Sequence, residues 1–181
     1  MNQRAAELGM ADTHFCNATG LPAEGHVTSA YDIALMSREL INKYPQILKY
    51  SSVWMDTILH TTRQGTKEFG LSNTNRLLRT YNGCVGLKTG STSKAKFCLS
   101  AVAQRNGITM IAVVMAAPDS KSRIKDASAL LDQGFSKCRL YKDDAPVKLP
   151  EISVKKGKEK TVSLVYEKQF RYLSTDGVGI E

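Results

Sequence analysis

Lys88, Thr89 and Gly90, set within Gly86-Leu87-Lys88-Thr89-Gly90-Ser91-Thr92, are the residues of this chain whose types and order best suit chemistry. The lysine and threonine offer a fixed positive charge and a hydroxyl. The glycine has no side chain to hold a ligand backbone at a distance. Together they suit the wall of a site that captures an anionic group beside a strand. An exposed edge strand guarded by a lysine would carry the same three residues, so the triplet alone leaves both readings open.

The surrounding sequence supplies elements to position the triplet. Phe97 to Gln104 alternates apolar and polar with period two, and Ile108 to Ala116 is an almost continuous apolar run. Between them stands Asn106-Gly107, the pair that a tight type I′ hairpin demands because both central residues need positive φ. The triplet is therefore expected on or beside the first of three antiparallel strands. After them, Asp119 is placed to cap a helix whose apolar positions Ile124, Ala127, Leu131 and Phe135 step by three and four, so that it covers one sheet face.

Upstream, Ala5 to Met10 reads as the end of a short helix closed by Gly9, and 13–26 as loops rich in turn formers. Ser29-x-x-Asp32 is a capping pair that, with Thr28 as the alternative cap, opens a helix to about Asn42 with Ile33, Met36 and Leu40 on one face; Pro45 marks its exit. Ile47 to Phe69 predicts short strands or a hairpin turning at Arg63-Gln64-Gly65-Thr66. A turn at Tyr81-Asn82-Gly83 leads into the Lys88 strand. Beyond Leu140 the texture changes: Asp143-Asp144-Ala145-Pro146 breaks the chain. Val147–Leu149, Ile152–Val154 and Thr161–Val165 then look like short strands, and Tyr172–Gly177 like an unfinished β unit.

At 181 residues, 42% hydrophobic and 23% charged, the chain can bury a core in one domain with a small second unit. No run approaches the ~18 to 20 apolar residues of a membrane span, and the first residues lack the apolar block of a signal peptide. The net charge of +8 is scattered apart from Lys155-Lys156-Gly157-Lys158-Glu159-Lys160. That cluster reads as a solvated turn, because no interleaved aromatic residues accompany it as they would in a nucleic-acid patch. Cys16, Cys84, Cys98 and Cys138 show no metal-ligand spacing, which argues against zinc; Cys98 reads as a small buried hydrophobe, and a disulfide among the four is left open. His26 could carry protons or serve as a loop hydrogen-bond donor.

Several motifs in order carry a resemblance over nearly the whole chain: Ala6-Glu7-Leu8-Gly9-Met10, Thr13-x-Phe15-x-Asn17-x-x-Gly20-Leu21, Ser29-Ala30-Tyr31-Asp32, Asn73-Thr74-Asn75, Gly86-Leu87-Lys88-Thr89-Gly90 and Gly134-Phe135. The chain resembles the D-alanyl-D-alanine carboxypeptidases, the low-molecular-mass penicillin-binding proteins of the serine peptidase type in Gram-positive bacteria. The resemblance implies an α/β (α+β) fold: a β-lactamase/transpeptidase-like antiparallel sheet flanked by helices, incomplete here. Residues 1–142 would be the C-terminal part of the catalytic domain and 146–181 the beginning of a small all-β domain. It also implies that two N-terminal strands of the family complete the sheet beside Ile108–Ala116, which without them becomes an edge.

By the same resemblance the reaction is removal of the terminal D-alanine from a peptidoglycan stem peptide through an acyl-enzyme, with β-lactam antibiotics as covalent inhibitors. Lys88, Thr89, Gly90, Ser91 and Arg123 are the expected substrate-binding residues, with Lys88 and Thr89 on the terminal carboxylate. Arg123 has an alternative reading as a helix-surface charge. No metal, cofactor or nucleic acid is implied. The expected place is extracytoplasmic, in the bacterial cell envelope, with membrane association only through segments not in this sequence. The family's Ser-x-x-Lys nucleophile and base and its Ser-x-Asn element precede the segment matched by Met1. The chain is thus expected to be an inactive fragment or to start at a misplaced position. Ser91–Lys94, Ser93–Lys96 and Ser153–Lys156 fit Ser-x-x-Lys formally but read as decoys. Val85 stands where many relatives carry aspartate. A β-lactamase relative and a noncatalytic penicillin-binding-like domain are the rival functions; the β-rich texture after residue 145 disfavours the former.

Overall fold

The computed structural model describes residues 1–144 and 146–176. Ala145 in the expected chain break, and Gly177 with the end of the expected β domain, lie outside the described residues. The chain divides into two compact units, Met1–Phe135 and Ser136–Glu181.

The first unit runs α1 (Asn2–Glu7), α2 (Ala30–Lys43), α3 (Ile47–Ser51), β1 (Met55–Thr62), β2 (Gly65–Ser72), α4 (Leu77–Thr80), β3 (Cys84–Thr92), β4 (Lys96–Arg105) and β5 (Ile108–Ala117), and takes in α5 (Ser120–Lys137) as far as Phe135. β3, β4 and β5 form an antiparallel sheet in sequence order, with Lys88 opposite Ser100 and Val102 opposite Ile111. The β4–β5 turn has φ of 52° at Asn106 and 79° at Gly107, both positive as a type I′ hairpin requires. Among the described residues β3 and β5 are the two edges of this sheet.

The alternation read in β4 becomes two packed faces. Leu99, Ala101 and Ala103 join Ala112 and Val114 of β5, Leu77 and Tyr81, and Ala127 and Leu131 of α5 in one buried cluster, which Ile124 and Phe135 also touch. The alanines keep the sheet surface low, and Leu99 of β4 and Leu131 of α5 are buried between sheet and helix. α2 packs on β5 and β4. The Ser37 and Ser100 hydroxyls, 2.8 Å apart and buried, bond across that contact.

Caps form where the sequence provides them. Ser29 accepts from Asp32 N at 3.2 Å, and Asp119 Oδ1 accepts from Ser122 N at 2.8 Å. The Asp32 carboxylate, 1% exposed, in turn accepts from Asp12 N at 2.9 Å and Thr13 Oγ1 at 2.6 Å, pinning the preceding loop onto α2. Gly83 is obligatory: its φ is 79°, and a Cβ there would stand 2.4 Å from Gln104 O.

Some expectations change. Ile47–Ser51 is helical, and the expected hairpin follows it as β1–β2, turning at Arg63-Gln64 and exposed along both strands. Cys98 is half-buried and donates to Ala95 O at 3.3 Å, because it sits near the open end of β4. All four cysteines are free. In the second unit β6 (Arg139–Lys142) pairs antiparallel with β9 (Arg171–Ser174), and β7 (Ile152–Ser153) with β8 (Thr161–Val162). Val147–Leu149 forms no strand. β6 was not read from the sequence. The second unit, which begins at Ser136, contains both β6 and β9.

Candidate functional site

The loop between β2 and α4 is held from both ends by its asparagines. Asn73 Nδ2 donates to Ser51 O at 3.2 Å and Val53 O at 3.1 Å, while its Oδ1 accepts from Asn75 N at 2.9 Å. Asn75, 1% exposed, donates to Gly86 O at 3.1 Å and accepts from Leu77 N at 3.2 Å. With Asn75 buried, Asn73 half-buried and both amides hydrogen-bonded, the backbone between them is held in one arrangement. The residue between them, Thr74, is thereby presented to β3, where its hydroxyl lies 2.5 Å from that of Thr89.

β3 is the facing wall. Lys88 lies exposed at the cleft, and its Nζ donates to Thr89 O at 2.6 Å. Gly90 has open space where a Cβ would stand. Because β3 pairs only with β4 among the described residues, its other edge is open to an extended peptide beyond Val85 and Gly86, whose carbonyls accept from Ser51 Oγ at 2.8 Å and Asn75 Nδ2 at 3.1 Å.

From α5, Arg123 enters beneath β3. It is 5% exposed and donates to Cys98 O at 3.2 Å, to Gly90 O at 3.5 Å and to Ser120 Oγ at 3.4 Å, with its charge 5.7 Å from the Phe97 ring centre. Its Nε is buried without a partner among the described residues. Burial pushes the guanidinium below its usual pKa, an effect that the neighbouring Cys98 opposes. The surface-charge reading of Arg123 is therefore corrected: this is a buried cation bonded only to neutral oxygens, and such a group gains from an anion brought beside it.

These elements enclose a cleft of about 970 Å³. Lys88, Thr89, Gly90, Ser91 and Arg123, the five residues expected from sequence, all line it. The segment before β3 contributes Trp54, Asn73, Thr74, Arg76 and Arg79, which the residue reading left without a role. The Asn73-Thr74-Asn75 motif was visible as a family likeness, but only the fold brings it to β3. Among the described residues the cleft is lined by four cationic side chains and no carboxylate.

The formal Ser-x-x-Lys strings do not build a nucleophile. A fourth, Ser122–Lys125, escaped the sequence reading and lies in the first turn of α5. Its serine hydroxyl donates to Asp119 Oδ2 at 3.0 Å, and neither Ser122 nor Lys125 lines the cleft. Ser91 does line it, and Ser93 borders only the neighbouring hollow beyond Thr92. His26 is neither a cleft residue nor a donor through Nδ1: that atom accepts from Cys16 N at 3.2 Å.

Residues 1–119 match the family model described as D-alanyl-D-alanine carboxypeptidase. The chain is 41% identical over 180 residues to the D-alanyl-D-alanine carboxypeptidase DacF of Bacillus subtilis (strain 168), an alignment covering 98% of this chain and 45% of that one. Among solved structures, the Streptomyces K15 DD-transpeptidase superposes with a TM-score of 0.68 at 30% identity, over 74% of this chain and 52% of that one. Penicillin-binding protein D2 from Listeria monocytogenes, in its cefotaxime-bound form, gives 0.63 at 36% identity over 74% and 53%. The chain spans less than half the length of such carboxypeptidase relatives and about half that of the two structures.

Proposed function

The chain belongs to the D-alanyl-D-alanine carboxypeptidase family, and on that premise we propose that residues 1–181 supply the carboxylate-binding wall of a serine-type D-Ala-D-Ala carboxypeptidase. The observation that carries the reading is the Lys-Thr-Gly strand at an edge of the sheet, beside a buried arginine that, among the described residues, has no anionic partner.

The substrate is a peptidoglycan stem peptide ending in D-Ala-D-Ala. Its backbone adds to the open edge of β3 at Gly90, where no side chain intervenes. Lys88 and Thr89 receive the terminal carboxylate, Ser91 adds a hydroxyl, and Arg123 supplies positive potential from below. A serine then attacks the carbonyl of the D-Ala-D-Ala bond, the amine of the last D-alanine leaves with a proton, and water hydrolyses the ester. Lys88 also favours the neutral form of the family's base lysine, since like charges nearby lower an amine's pKa. Within residues 1–181 no cleft serine is hydrogen-bonded to a lysine among the described residues, so this segment by itself is proposed to provide neither nucleophile nor base.

A β-lactam presents a carboxylate and a strained amide in the same relation as the substrate. The Listeria relative is seen bound to cefotaxime and to ampicillin, which supports covalent inhibition of this protein by the same class. The place proposed is the extracytoplasmic side of a bacterial envelope, where stem peptides lie. Among the described residues no helix is long and apolar enough to cross a membrane.

The test is D-alanine release by the full-length protein from an N-acylated tripeptide ending in D-Ala-D-Ala, with a fluorescent penicillin as label. Release that penicillin abolishes supports the reading; no release and no labelled band overturn it. Residues 1–181 alone are expected to give no labelled band.

A further inference from the structure

Arg76 and Arg79 stand three residues apart around α4, both exposed and both lining the same cleft as β3. Neither forms an ion pair among the described residues. Like charges at this spacing repel, and no acidic side chain among the described residues lines the cleft to relieve them. Arg79 is also oriented: its guanidinium carbon lies 5.6 Å from the centre of the Trp54 ring, a stacking that fixes the plane of its donors. The segment that carries the pair is fixed by the Asn73 and Asn75 hydrogen bonds, so both arginines start from a rigid base.

We propose that Arg76 and Arg79, with Trp54, form a second anion subsite that selects substrates bearing a carboxylate on the side chain of the residue just upstream of D-Ala-D-Ala. The proposal rests on the carboxypeptidase reading above and deepens it. A D-Ala-D-Ala peptide has one terminal carboxylate, and the wall of Lys88, Thr89 and Arg123 takes it. A second cationic pair in the same cleft, carried by α4 and not by β3, therefore meets another part of the peptide, and the groups that remain are upstream of the scissile bond. An arginine with a planar fork of donors prefers a carboxylate to the isosteric carboxamide, because only the former accepts two charge-assisted hydrogen bonds.

The experiment compares kcat/KM of the full-length protein for N-acetyl-L-Glu-D-Ala-D-Ala and N-acetyl-L-Gln-D-Ala-D-Ala, which differ in one charge upstream and share the scissile end. The expected result is a preference of about tenfold for the carboxylate peptide, the scale of one charge-assisted contact, shrinking as salt is raised. Arg79→Gln and Arg76→Gln should each reduce that ratio, the double variant should bring it near unity, and Arg79→Lys should restore part of it. Equal rates on the two peptides in the parent protein would overturn the subsite. So would variants that slow both peptides alike while keeping the ratio, which is the signature of a merely structural role. Turnover of neither peptide would instead sink the carboxypeptidase reading, and the subsite with it.

Discussion

Thr74 and Thr89 touch through their hydroxyls at 2.5 Å, although they lie fifteen positions apart in the chain with a helix between them. This contact joins the Asn73–Asn75 loop to the strand that carries Lys88. Replacing Thr74 by valine keeps the shape and removes one partner. We expect a loss of about 1 kcal/mol, the net value of one hydrogen bond, read as a lower midpoint in urea at unchanged slope. An unchanged midpoint would mean that the loop is held by its asparagines alone.

Tyr81 gives the molecule a stability slope at alkaline pH. Burial, and then the hydrogen bond its hydroxyl donates to Asp132 at 2.7 Å, push its pKa from the usual 10 up to about 12, while Arg105 over its ring acts in the opposite direction. The folded value is the higher one, so between about pH 10 and 12 the unfolded chain releases a proton that the folded chain keeps. Stability present in full below pH 10 is therefore lost across that window. Tyr81→Phe should lack this component of the slope and be less stable at pH 7 by about 0.5 to 1.5 kcal/mol. Urea titrations of both proteins at pH 8, 10 and 11 provide the comparison; parallel slopes would remove Tyr81 from the account.

β5 has β4 as its sole strand partner among the described residues and carries no charged side chain from Ile108 to Ala117. A flat apolar edge of this kind pairs with whatever strand arrives. Residues 1–181 expressed alone should therefore self-associate at micromolar concentration. Size-exclusion chromatography with light scattering decides it, and a cooperatively melting monomer would show that the edge is protected.

Much of the fold was legible because local rules and packing agree there. Asn106-Gly107 can serve few roles other than the tight turn, and the apolar spacing from Ile124 to Phe135 can face a sheet only as a helix. Ser29 and Asp119 cap where their side chains reach the first free amides. α3 was missed because Ile47–Ser51 is too short for a helical period to show, and β6 because four residues exposed on most positions carry no alternation. For the site, Lys88 to Ser91 were legible as one contiguous stretch. Arg123, thirty-three residues beyond Gly90, could be placed only by likeness, and its burial became visible only in the packing of α5 under β3. Arg76 and Arg79 looked like ordinary surface charges, since nothing local tells that α4 faces a cleft.

The central claim is that Lys88 anchors the substrate's terminal carboxylate. Its most direct test is kcat/KM of the full-length protein and its Lys88→Ala variant on an N-acylated tripeptide ending in D-Ala-D-Ala, alongside thermal melts showing that the variant remains folded. The account predicts a fall of roughly 10²- to 10³-fold, the scale of losing one charge-stabilising group at a reacting centre. A folded variant that retained more than about half of the parent's kcat/KM would contradict it.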